Sequence, residues 1–384
     1  MNVLWTSNWA AWSGYALQSQ QFVRAMQRDG HHVTVLEQAG SSRRVYDHDG
    51  ITVLSPVFHP LGNDIIGEYA KTTQADAVIS MMDVWALDKE AWSQVPFYPF
   101  TPIDQMPVPP LVANSLGAAR RVIAMSRYGE RELRKVGFDP LYVPLAVDTN
   151  VFFPQDRAKA RRALGFDDHQ FIAAFVGVND SNPSRKGIPE LLMAWQMFHR
   201  EHPDALLYLH TGVNGNLPLN SIGGVQIDVL MQTLALNPQS IRFPDQIKYR
   251  MGHEQADVAR LYAAADVLVA PSRGEGFGLP IVESQSCGCP VITTDFAAQA
   301  ELVFGGWKIG GSLEWSFQNA FVMKADIHQL NAALTQAYDS RGDDLLRRQA
   351  IEGARAYSFE TVYQTYMRPA LQVLAEDSLA RLAA

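Results

Sequence analysis

The sequence predicts an α/β protein built from two open-sheet domains. Short apolar runs alternate with helix-length segments along the whole chain, the order that builds parallel sheets. The chain has 384 residues, more than one ordinary core holds, so two domains of ~150–200 residues are expected. The alternation is interrupted at residues 149–168, where Pro154, a charged run at 156–162 and Gly165 have the composition of a linker with a short helix.

Taken in order, residues 3–5 form the first strand, 7–15 a loop, 16–28 a helix and 32–36 the next strand. This is the β–loop–α–β opening of an open sheet, whose ligands sit at the carboxyl ends of the strands. The 7–15 loop therefore faces a crevice. Gly14 there permits close backbone approach or serves as a plain turn residue, and Trp9 and Trp12 either stack on a ligand or pack on the sheet. Further strands are expected at 51–54, 77–80, 97–100, 122–125 and 141–143, with helices at 64–74 and 127–136. The second run has strands at 171–177, 206–210, 241–243, 267–270 and 290–293. Its helices are at 188–202, 225–235, 254–265 and from Pro280 onward, and 326–339, 343–356 and 359–375 close the chain. The expected division is 1–148, a linker 149–168, a second domain 169–357, and a terminal helical segment 358–384.

A hydrophobic fraction of 47% against 19% charged residues describes a chain that buries cores. The net charge of −8 argues against general nucleic-acid affinity, which needs cations to neutralise phosphates. Two cysteines, Cys287 and Cys289, are too few for a disulfide framework or a four-ligand zinc site and read as packed thiols. Met1-Asn-Val-Leu-Trp-Thr opens on a strand without a basic leader, and no apolar run approaches the ~20 residues of a spanning helix. A soluble, cytoplasmic protein is expected. Arg120, Arg121, Arg127, Arg131, Arg134 and Lys135 form a cationic cluster, either a solvated face interspersed with Glu130 and Glu132 or a contact to the inner membrane surface.

The most informative stretch is Pro271-Ser-Arg-Gly-Glu-Gly-Phe-Gly-Leu-Pro-Ile-Val-Glu283. It joins a buried strand to a helix through Gly274, Gly276 and Gly278. Free N–H groups at such a helix start bind anions, and absent Cβ atoms let a phosphate come close. Glu275 and Glu283 would repel phosphate, so they are either acceptors for sugar or ribose hydroxyls or two solvated acids on an ordinary strand–loop–helix. Asp47-His48-Asp49 has a metal-binding form, but it precedes Gly50 and a strand and reads as a polar turn.

With its flanks, Tyr262-Ala-Ala-Ala-Asp266 and Ser284 to Thr293, this stretch resembles the family-4 retaining glycosyltransferases, whose signature is two glutamates separated by seven residues. Val143-Pro-Leu-Ala-Val-Asp148, Phe175-Val-Gly177, Arg185-Lys-Gly187 and Ser358-Phe-Glu extend the similarity over most of the chain. The resemblance implies the GT-B fold, two Rossmann-like domains facing across a cleft with the terminal helix, 358–384, crossing back to the first, and transfer of a sugar from a nucleotide-diphosphate donor to a hydroxyl acceptor. It implies no metal and no cofactor beyond the donor. Gly276 and the Phe277, Gly278 and Leu279 amides would hold the diphosphate, with Lys186 and Arg185 adding cationic contacts. Glu283 would accept from the ribose, and Glu275 would meet the transferred sugar. Many relatives place an arginine a few residues ahead of the lysine, a position Arg185 is expected to cover. Many also place a histidine in the first domain, where Thr101-Pro-Ile-Asp-Gln105 offers Asp104, either a bond to the acceptor or the sugar or a turn cap. Asp83 is a weaker candidate. The donor base stays open among UDP, GDP and ADP, as does the acceptor among glycan, lipid and small molecule. The alternatives are a sugar phosphorylase or nucleotide-sugar epimerase of the same fold, or a non-catalytic nucleotide-sugar binding protein.

Overall fold

The computed structural model describes all residues except 12, 40–43, 215–222, 253 and 383–384. The chain divides into two compact units. Unit 1 comprises Met1–Ala146, Ser316–Ala320 and Phe359–Ala384, and unit 2 comprises Val147–Trp315 and Phe321–Ser358.

Among the described residues, unit 1 holds an eight-stranded sheet. Its strands are β1 Asn2–Ser7, β2 His32–Glu37, β3 Tyr46–His48, β4 Ile51–Leu54, β5 Ala77–Met81, β6 Phe97–Thr101, β7 Ile123–Ala124 and β8 Leu141–Tyr142. The order is β3-β4-β2-β1-β5-β6-β7-β8. All pairs are parallel except the edge pair β3–β4. Val3, Leu4 and Trp5 of β1 are fully or almost fully buried, as a central strand covered on both faces requires. The strand order reverses between β1 and β5, which places a ligand crevice at their carboxyl ends.

The first helix starts at Gly14, two residues earlier than expected, because the Ser13 hydroxyl accepts the Ala16 N–H and caps it. The helix expected over 64–74 is shorter, Ile66–Thr72. The final helix runs beyond the expected 375, as Arg368–Leu382 after a π-turn at Tyr363–Met367. Pro369 lacks the N–H that would continue a regular ladder, and the wider turn just before it absorbs that gap. Within unit 1 this helix is tied to the first by Arg368, whose guanidinium donates to both Asp29 oxygens at 2.7 and 2.8 Å.

Unit 2 has six strands in one sheet, again counting described residues. They are β9 Ile172–Val176, β10 Leu206–His210, β11 Ile241–Arg242, β12 Val267–Ala270, β13 Val291–Thr294 and β14 Gly306–Ile309. The order β11-β10-β9-β12-β13-β14 reverses between β9 and β12. A hairpin not foreseen from the sequence follows, β15 Gly311–Trp315 paired antiparallel with β16 Phe321–Ala325. Residues 149–168 pack within unit 2 and do not stand apart as a linker. Their anchor is Arg161, only 3% exposed, which donates to the carbonyls of Ala264, Asp167, Asp168 and Gln170 and to the Asp266 carboxylate. Asp266 in turn accepts the Ile172 N–H at 2.8 Å, joining this segment to the start of β9. Cys287 and Cys289 are free and buried.

Candidate functional site

In unit 2 the reversal between β9 and β12 sets two loops side by side: 177–187 after β9, and 271–278 between β12 and the helix Leu279–Ser286. Glycine makes their contact possible. Gly187 has φ +69°, and a Cβ there would lie 2.2 Å from the Pro271 carbonyl oxygen. The Arg273 N–H then donates to the Arg185 carbonyl at 2.8 Å. Gly278, at φ +112°, occupies the cap position of the helix, with Pro280 in its first turn. That geometry turns the chain from loop into helix with its early N–H groups directed toward the loop.

The charged side chains meet here. Lys186 Nζ donates to Glu275 Oε1 at 2.6 Å, and Arg185 lies 3.5 Å from Oε2. Burial alone would raise the Glu275 pKa, but the Lys186 and Arg185 charges outweigh it and hold the carboxyl at about 2. Burial and the neighbouring Arg185 charge lower the Lys186 pKa, against the attraction of Glu275. A small recess is lined by Phe175, Val176, Lys186, Ala270, Ser272, Glu275, Gly278, Pro280 and Ile281. It therefore lies at the carboxyl ends of β9 and β12 and at the helix start.

Glu283 sits one turn into the helix and takes a 3.4 Å hydrogen bond from the Tyr262 hydroxyl. Burial pushes its pKa up to about 7, although the Tyr262 bond pulls it down. Where Glu275 meets two cations, Glu283 meets a phenol, so its charge is costly at neutral pH. Gly276 is half-buried in the loop, and the Phe277 ring packs edge-on to Tyr357, centroids 5.7 Å apart. The Phe277 side chain is thus committed to packing.

The structure brings Arg185, Lys186, Glu275 and the Gly278–Leu279 helix start together within unit 2. Gly14 and Asp104 belong to unit 1. Gly14 is exposed at the head of its helix, and Asp104 is half-buried beyond the end of β6. The Asp83 carboxylate, after β5, accepts from the Tyr15 hydroxyl at 3.4 Å. Trp9 is a packing residue: it is fully buried, and its indole donates to His48 Nδ1 at 2.8 Å. Trp12 lies outside the described residues. Asp47 accepts the Gly50 N–H at 3.0 Å and Asp49 pairs with Arg24 at 2.8 Å, as a polar turn does. In the cationic cluster, Glu130 pairs with Arg127 and Arg134, and Glu132 with Lys135.

Sequence reasoning missed Gln299, Ser272 and Arg273. Gln299 is fully buried, and its Oε1 accepts the Glu275 N–H at 2.8 Å. Its one sequence signal was a lone amide among Ala297, Ala298 and Ala300. Arg273, within the motif itself, links Glu190 at 3.3 Å and Glu314 of β15 at 2.5 Å.

Residues 170–340 match the family model described as Glycosyl transferases group 1. D-inositol 3-phosphate glycosyltransferase of Mycobacterium sp. (strain KMS) is 29% identical over 216 residues, 55% of this chain and 42% of that relative. D-inositol 3-phosphate glycosyltransferase 1 of Catenulispora acidiphila is 32% identical over 184 residues, 47% of this chain and 40% of the relative. The matches thus span less than half the length of these curated relatives. Among solved structures, sucrose-phosphate synthase from Thermosynechococcus elongatus superposes with a TM-score of 0.79 at 20% identity, covering 98% of this chain and 99% of that one. Anabaena Alr3699/HepE in complex with UDP-glucose gives 0.69 at 17% identity, covering 97% and 100%. Among the described residues, no helix is long and apolar enough to cross a membrane.

Proposed function

We propose that this chain, with its GT-B fold of two Rossmann-like domains and its match to the group 1 glycosyltransferase model over residues 170–340, is a retaining, metal-independent glycosyltransferase. It transfers a hexosyl group from a nucleotide-diphosphate sugar to a hydroxyl acceptor. The observation that carries the proposal is the meeting of Arg185, Lys186 and Glu275 at the carboxyl ends of β9 and β12, beside a glycine-capped helix start.

The roles follow from charge. The diphosphate is the leaving group, so stabilising its developing negative charge is the main electrostatic task. Arg185 and Lys186 supply cations, and the amides of Gly276 through Leu279 supply N–H donors at a helix N-terminus. Glu275, held as a carboxylate, accepts hydrogen bonds from hydroxyls of the transferred sugar and is poorly suited to give up a proton. Glu283 accepts from the ribose. The sugar departs with its bonding position emptied on one face. The acceptor oxygen enters on that same face, and its proton passes to the leaving phosphate oxygen, which conserves anomeric configuration. Unit 1 supplies the acceptor side, with Asp104 as its polar contact, and the protein works in the cytoplasm.

UDP-glucose, the ligand of Anabaena HepE, is the first donor to test, and a phosphorylated polyol of the inositol phosphate kind, after the names of the curated relatives, the first acceptor. Thermal shifts with UDP, GDP, ADP and their glucose conjugates identify the base, because a ligand of the folded state raises Tm by mass action. Turnover is then followed by NMR of the product's anomeric centre, with and without EDTA. The expected outcome is an α-linked product from the α-linked donor and an unchanged rate in EDTA. An inverted product, or a rate abolished by EDTA and restored by a divalent cation, refutes the corresponding part of the mechanism.

A further inference from the structure

The loop that carries Glu275 has three glycines in five positions, Gly274, Gly276 and Gly278, a composition that costs more entropy to order than any other. Yet Glu275 is held on all sides, and what holds its backbone lies outside the motif. Its N–H donates to Gln299 Oε1 at 2.8 Å, and its carbonyl accepts from the Ala298 N–H at 3.3 Å. The Gln299 amide nitrogen donates in turn to the Ser272 carbonyl at 3.2 Å and to Thr294 Oγ1 at 2.8 Å. Thr294 donates its own proton to the same Ser272 carbonyl at 2.6 Å. Gln299 and Thr294 are both fully buried, so each of these bonds is made away from water and has no solvent substitute.

A strained residue delivers this brace. Ala297 has φ 53° and ψ −151°, a region that is essentially reserved for glycine. Non-glycine residues persist there only where the surroundings impose it, and such strain gathers at functional sites. Here the strained turn is the one that aims the Ala298 N–H and the Gln299 side chain at Glu275.

We infer that Gln299 is a positioning residue for Glu275, setting the carboxylate where the transferred sugar's hydroxyls must meet it. The inference rests on the function proposed above. It makes a specific division: the diphosphate is held by Arg185, Lys186 and the helix start, so loss of the brace affects the sugar half of the donor and spares the diphosphate half.

The test compares two affinities in each variant, using whichever of UDP, GDP and ADP binds the wild type and its glucose conjugate. Gln299→Leu removes the brace at similar volume. The expected result is an unchanged affinity for the diphosphate, loss of most of the extra affinity that the glucose unit confers, and kcat lower by on the order of 10²-fold, the cost of misplacing a reacting group by about 1 Å. Thr294→Val removes one buried hydroxyl and is expected to show the same pattern at roughly threefold, and it carries the test should Gln299→Leu fail to fold. Equal losses for diphosphate and glucose conjugate overturn the inference, because a merely structural role weakens both. An unchanged glucose increment in either folded variant overturns it as well. A wild type that binds none of the three diphosphates overturns the functional reading itself, a result distinct from the other two.

Discussion

In unit 1 the strand order reverses between β1 and β5, and the side chains beyond those strand ends include Tyr15, Asp83 and, one strand further, Asp104. In unit 2 it reverses between β9 and β12, and the corresponding side chains are Arg185, Lys186 and Glu275. The two sheets share a topology and therefore share the position of a crevice. They do not share chemistry. The crevice of unit 2 pairs cations with a carboxylate and a helix start, which suits a diphosphate. The crevice of unit 1 offers carboxylates and a phenol, which suit hydroxyls. A fold thus locates a site, while the residues grafted at the strand ends decide what it binds.

The largest expected effect breaks the unit 2 side of this contrast. Lys186→Ala should lower kcat by about 10²–10³-fold, the cost of removing one preorganised donor to developing negative charge. Near wild-type turnover with the true donor would remove Lys186 from the site. Next is Gly187→Ala, which drives a Cβ toward the Pro271 carbonyl and forces a positive φ on alanine. A loss of ~2–3 kcal/mol is expected, read as a Tm lower by roughly 5–10 °C in calorimetry. An unchanged Tm would mean that the two loops can part freely.

The unit 1 side is tested by Asp104→Ala. If the acid binds an acceptor hydroxyl, the acceptor KM should rise roughly tenfold with donor affinity unchanged, the scale of one hydrogen bond to a charged group. An unchanged acceptor KM assigns Asp104 to the turn alone. Within unit 2, the two glutamates should differ in how pH reaches them. Glu275 lies at about 2, below the ordinary 4.5, so its contribution is complete above pH 4.5 and fades as pH falls toward 2. Glu283 lies at about 7, so the folded state holds a proton that the unfolded chain has lost, and stability falls as pH rises from 4.5 to 7. Glu283→Gln should flatten the fall in Tm over that upper interval and leave the acid limb unchanged. The smallest effect is expected from Ala297→Gly, where relief of strain exceeds the added chain entropy by about 1 kcal/mol or less. A lowered Tm would show that the Ala297 turn is unstrained in solution.

The contact between Lys186 and Glu275 joins residues 89 positions apart, and the sequence disclosed both because each sits in a local pattern. Arg185-Lys-Gly187 follows an apolar run, and Glu275 lies among glycines. Gln299 has no such pattern. A buried amide is spelled like an exposed one, and only its hydrogen-bond partners, brought from Ser272, Glu275 and Thr294 by the fold, give it a role. Trp9 shows the reverse. Its place on a loop beyond a strand end left ligand stacking and packing equally open, and His48, from a strand that the sequence pattern did not show, decides for packing by taking its indole proton inside the core.

By itself the sequence determined the α/β class, the run of most strands and helices, and the motif that holds Glu275 and Glu283. Period-two and helical patterning, glycine placement and charge are local properties, written within a few residues of each other. Tertiary structure alone decided that Gly187 must be glycine because Pro271 presses on it, that residues 149–168 are anchored through Arg161, and that the two signature glutamates carry opposite pKa shifts. Those outcomes depend on which distant groups arrive beside a residue and how much water they exclude. Desolvation acts on both carboxyls alike, but Glu275 gains two cations from a neighbouring loop, whereas Glu283 gains a phenol from a helix.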